Sequence, residues 1–241
     1  MPKKKKKKSR NGFAVEIKAI VAGFHSILFM RLDALATAQS QMVLFHETLH
    51  ERILTRTPDG VTHLRLKHLS ASPDVESNIR DWAERWCKDI ESNAALAHET
   101  VATYCAIKQD DVTSQQRAID ALVPDYQVWY RSLADRIDPV FHSSYLQYLI
   151  GWFVAELCFS TPFPERLAAL GLQDQPGLYA QEQPNWRLGR ILERLTHSLL
   201  SDLLAVLEKA TSVSIQSEDA WRSLPHPDSV ELDRHLSQVI R

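Results

Sequence analysis

Residues 45–52 read FHETLHER, and within them His46, Glu47, Thr48, Leu49 and His50 carry the HExxH spacing by which many zinc peptidases hold their metal. On a helix, histidines four apart project from one face and can bind one ion. The glutamate beside the first acts as general base on the water the ion activates. His46 and His50 are therefore candidate ligands for zinc or iron, and Glu47 is a candidate catalytic base, in a metal-dependent hydrolase.

Such a centre needs a third ligand. Glu76 and Glu84 lie at suitable sequence distances, although neither opens the ExxxD pattern of the glutamate-type enzymes. If the first two long helices form a hairpin turning near residue 65, His46 lies opposite residue 84, which makes Glu84 the candidate. The same register separates His46 from His98 by about 20 Å along the helices.

Other features count against a peptidase. Glu51 and Arg52 follow His50 where an uncharged and then an apolar residue are expected, and no glycine and third histidine continue the motif. Such peptidases also set this helix beneath a sheet, whereas the residues before His46 read as helix. Five residues without that surrounding fold do not make a family. The plainer reading is a packing seam, since His46 stands four after Met42 and three before Leu49, and His50 four before Leu54. Glu47 and His50 also form an ExxH pair, but the second ExxH of a carboxylate-bridged metal bundle is missing. The triplet His-Glu-Thr recurs at His98, with flanks too different to suggest a repeat.

The elements that must position these residues read as helices. Seven glycines in 241 residues, with Leu, Ala, Gln and Glu abundant, favour helix over sheet. Apolar residues at three-and-four spacing from Phe13 to Ile53 predict one very long helix, or two nearly continuous ones, stopped by Thr57-Pro58-Asp59-Gly60. Residues 61–69 alternate weakly and read as a short strand or connector. Ser72-Pro73-Asp74 opens a second long helix with the stripe Ile79, Trp82, Trp86, Ile90, Ala97, Val101 and Cys105.

Pro124 and Pro139 cut the span 114–159 into three pieces, and a small helix starting at Thr161-Pro162-Phe163-Pro164 ends near Gly171. Residues 172–184 form the least regular stretch and a candidate functional loop. Asn185 reads as the cap of a helix through Val206, and a last helix begins around Asp228. The expected fold is all-α: a tail over 1–12, a long antiparallel hairpin over 13–110, and a bundle over 111–241 packed against it as one unit.

Charge is split between the ends. Lys3, Lys4, Lys5, Lys6, Lys7, Lys8 and Arg10 crowd the first ten positions, and without them 21 cations face 30 acids, leaving the body near −9. Such a tail cannot bury apolar surface and is expected to be disordered; it attracts phosphates in a sequence-independent, salt-sensitive way. The acidic body argues against a groove-reading DNA-binding domain.

Cys87, Cys105 and Cys158 are scattered within apolar patterns, which reads as buried reduced thiols and an intracellular, cytoplasmic protein, or a nuclear one if the source is eukaryotic. The most apolar segment, residues 145–159, is too short to span a bilayer and reads as a core helix. Six tryptophans favour core packing, with a hydrophobic pocket near that segment as a further reading. No glycine-rich phosphate loop, nucleophile elbow or zinc ribbon occurs.

The sequence by itself thus favours an interaction or adaptor protein, tethered by its tail to nucleic acid or another polyanion, binding a protein partner or a second copy of itself and needing no cofactor. The hydrolase of His46, Glu47, His50 and Glu84 is the alternative.

Overall fold

The computed structural model describes residues 14–21, 24–31, 38–109, 112–173 and 182–211. The described residues are mostly helical, but the first of them are not. Strands β1 (Ala14–Val21) and β2 (Phe24–Arg31) pair antiparallel, from Val21 opposite Phe24 to Ala14 opposite Arg31. This corrects the helix expected from Phe13. Val15, Ile17, Ala19 and Val21 alternate with Glu16 and Lys18, and β-branched residues at a period of two favour the pleated chain. Helix α1 starts only at Ala38 and ends at Arg56.

A second correction follows. The Thr57-Pro58-Asp59-Gly60 stop is also a start, for α2 (Pro58–Ala71) fills the stretch read as strand or connector. Thr57 is its N-cap, accepting from the Gly60 amide at 3.2 Å, and Pro58 takes the first turn, where its missing N–H costs nothing. Gly60 is needed there, because a Cβ would lie 2.6 Å from the Leu54 Cα and force α2 off the end of α1. The expected two-helix hairpin is therefore a three-helix array, in which α1, α2 and α3 (Ser77–Lys108) pack on one another.

Helix α3 is the axis of the molecule. Its stripe of Trp82, Trp86, Ile90, Ala97, Val101 and Cys105 is buried, and from Thr100 to Lys108 every residue is buried, as befits a helix surrounded on all sides. Around it pack α5 (Pro124–Ile137), α6 (Ser144–Phe159) and α8 (Pro184–Arg194), with α4 (Val112–Ala121) beside α1 and α3. Pro124 opens α5, and α5 ends just before Pro139, so the span 114–159 does fall into three pieces. Helix α6 crosses α3 closely at Gly151, where a Cβ would lie 2.7 Å from the Tyr104 ring.

The short α7 (Phe163–Leu170) ends at Gly171, whose φ of 60° suits glycine. The expected helix from 185 to 206 is two helices, α8 and α9 (His197–Thr211), broken around Leu195 and Thr196. Asn185 does not cap α8, whose N-cap is Gln183; it reaches across to α3 instead.

The main core runs from Leu49 and Ile53 of α1 through Tyr104, Leu133, Phe141, Leu146 and Phe159 to Leu200 and Leu207 of α9, so both expected halves share it. A second cluster joins Leu66, Trp82, Trp86, Cys87, Ile90, Phe163 and Leu167 at the start of α3. All three cysteines are free and buried. Trp82, Trp86 and Trp152 are core residues, while Trp186 is half exposed. No described helix is long and apolar enough to cross a membrane. The lysine run, residues 174–181 of the candidate loop, and the expected last helix lie outside the described residues.

Candidate metal centre

Helix α1 places His46 and His50 one turn apart, as the four-residue spacing requires. The buried Leu49 and Ile53 fix which face of α1 meets α3, and Arg52 pins α1 to α6 by donating to the Tyr148 hydroxyl at 2.7 Å and lying over Trp152. That orientation turns both histidines onto α3, where Glu99 meets them. The His46 and His50 Nε2 atoms are 2.9 Å apart. His46 Nε2 is 3.2 Å from Glu99 Oε2, and His50 Nε2 is 3.6 Å from Glu99 Oε1. One donor atom from each residue lies within 4.8 Å of the others, the one such group of three among the described residues.

The spacing is informative. Four ligands at 2.0–2.1 Å around a tetrahedral zinc are roughly 3.3–3.4 Å from one another. The His46–His50 and His46–Glu99 separations, 2.9 and 3.2 Å, lie close to that value, and the 3.6 Å from His50 runs to the other carboxylate oxygen of Glu99. Two facing imidazole nitrogens and a carboxylate are all Lewis bases, and they stay together only around a shared cation, a proton or a metal. Glu99 Oε2 is fully buried, and the polar atom facing it is His46 Nε2.

The electrostatics prepare the bases for a metal. Burial first, then the neighbouring His46, lowers His50 to about 4, with Glu99 opposing. Burial pushes the Glu99 carboxyl up, but the His46 hydrogen bond, the charges of His50 and His46, and a bond from Tyr126 together hold it below its ordinary value. At neutral pH the site thus offers a neutral His50 and an ionised Glu99, the forms that bind metals. It is reachable from solvent, since the His50 and Glu99 side chains keep 20% and 28% of their exposure.

Tyr126 of α5 completes the surroundings. Burial, then the charge and hydrogen bond of Glu99, then the more weakly felt charge of Glu47 raise the pKa of its hydroxyl. His98 stands behind His50, their Nδ1 atoms 3.3 Å apart, and its ring packs edge-on against Phe159 at 4.4 Å between centroids.

The geometry brings together His46 and His50 but not Glu84, which is exposed on α3 and paired with Lys88 at 2.7 Å. Glu99 takes the place expected of Glu84, and the 20 Å expected between the two histidine regions is a hydrogen-bond distance. Where a turn centred near residue 65 is expected, the 14-residue α2 intervenes and shifts the register of α3 against α1. A signal was present in the two His-Glu-Thr triplets, which meet across the α1–α3 contact. No family model, no curated protein and no solved structure matches the chain, which leaves the geometry to carry the functional conclusion.

Proposed function

We propose that His46, His50 and Glu99 hold one divalent transition ion, zinc by their chemistry, and that the protein is a metal-dependent hydrolase. The observation that carries this reading is the convergence of three bases from two helices, one donor atom of each within 4.8 Å of the others. Two histidines and a glutamate form a known catalytic zinc set with one position left for water, and the ion lowers the pKa of that water toward about 7. Glu47, beside His46 in the motif, would be the base for that water. Tyr126, through its hydrogen bond, would help hold the Glu99 carboxylate in place. The same ligands would suit ferrous iron, and elemental analysis separates the two.

The adaptor favoured by the sequence gives way because Glu99 supplies the ligand that Glu84 could not. The lysine run adds a separable property, salt-sensitive contact with nucleic acid or another polyanion, tested by deleting residues 3–8.

The decisive experiment measures the metal in protein purified without chelator or histidine tag. About one zinc per chain is expected in the wild type and in Glu47→Gln, and almost none in His46→Ala or Glu99→Ala. On a panel of peptide, ester and phosphoester substrates, Glu47→Gln should retain its metal and lose turnover. A wild type with no metal and no uptake of added zinc would sink the proposal.

A further inference from the structure

We infer that His98 is a positioning residue for this centre, fixing the tautomer and ring angle of His50 from the side away from the metal ligands. The inference rests on the metal reading above and goes beyond it, because His98 belongs neither to the HExxH motif nor to the ligand set.

If His50 presents the Nε2 lone pair toward His46 and Glu99, its single proton sits on Nδ1. That proton needs an acceptor, and among the described residues His98 Nδ1 stands 3.3 Å away to take it. His98 must then carry its own proton on Nε2. It can accept only while neutral. The ring is also fixed, between His50 at 5.4 Å and Phe159 at 4.4 Å between centroids. His98 precedes Glu99 on α3, so one helix supplies both a ligand and the group that orients another ligand. Metal-bound histidines commonly have such a partner on the other ring nitrogen, and its loss weakens metal binding by about 10–100-fold.

The test titrates cobalt(II), then zinc in competition, into the metal-free full-length protein. It compares the wild type with His98→Phe, which keeps an aromatic packing group but no acceptor, and His98→Asn, whose amide oxygen can occupy the Nδ1 position. His98→Phe should bind about 10–100-fold more weakly with a changed cobalt absorption band, and His98→Asn should recover wild-type affinity to within about threefold. Equal affinity and an unchanged band in His98→Phe would overturn the inference while leaving the metal centre standing. Equal losses in both variants would make His98 a packing residue and overturn it too. A wild type that binds no cobalt would overturn both.

Discussion

Two polar clusters lie along α3, one at Glu99 and one at Lys108, nine residues and about 14 Å apart. They look alike in composition and differ in balance. At the second, the buried Lys108 ammonium donates to Asp138 at 2.7 Å, and the Tyr104 hydroxyl donates to the same carboxylate at 2.8 Å. One cation meets one anion, the donors find acceptors, and nothing further is required. At the first, two imidazoles and a carboxylate converge, and no lysine or arginine ion-pairs with that carboxylate among the described residues. Polar burial therefore does not mark a site by itself. Convergent bases without such a partner are what set the first cluster apart.

Breaking each cluster should separate them. The largest effect expected is on metal affinity, where Glu99→Ala should weaken zinc by more than about 100-fold while Asp138→Ala leaves it almost unchanged, both read by competition with a chromogenic chelator. Stability should show the reverse. Asp138→Ala strands Lys108, whose side chain is 4% exposed, and should cost about 2–3 kcal/mol in urea unfolding of the metal-free protein. This falls below the cost of breaking a fully buried pair because Asp138 keeps 29% of its exposure. Metal-free Glu99→Ala should shift the same midpoint less.

A third carboxylate, this one buried, sharpens the contrast through pH. Asp59 accepts from the Thr161 hydroxyl at 2.7 Å and from its amide at 3.2 Å, yet burial outweighs these bonds and raises its pKa from 3.8 to about 7. The folded protein then binds more protons than the unfolded chain between those values. Stability contributed by the protonated form is full below 3.8 and is lost as the pH rises toward 7, by at most about 1.4 kcal/mol per unit. Asp59→Asn should flatten that slope in denaturant titrations across the range. The smallest effect belongs to Glu84→Ala, which should leave zinc stoichiometry and affinity unchanged; a lost metal there would return the third ligand to Glu84.

The sequence was most legible where local chemistry and tertiary packing agree. The α3 stripe, the cuts near Pro124 and Pro139, and the stop at Gly171 need only periodicity and backbone restriction to be read. Residues 14–31 were harder, because Ile17, Ile20, Phe24, Ile27 and Leu28 satisfy the helical spacing while Val15, Ile17, Ala19 and Val21 satisfy the strand period. Thr57-Pro58-Asp59-Gly60 carries the chemistry of both a stop and an N-cap. Two of the three candidate ligands, His46 and His50, follow from spacing within one helix. Glu99 does not, since its place depends on the register of α3 against α1, which is set by α2 and by the close approach at Gly60.

The ligands come from chain positions far apart, with 49 residues separating His50 from Glu99. An ion bound there would close a long loop, as a covalent cross-link does, and would restrict the unfolded chain by an entropy worth about 4 kcal/mol. A chelator would then act on this fold as a reductant acts on a disulfide-bonded one, loosening α1 from α3 without touching their apolar contact.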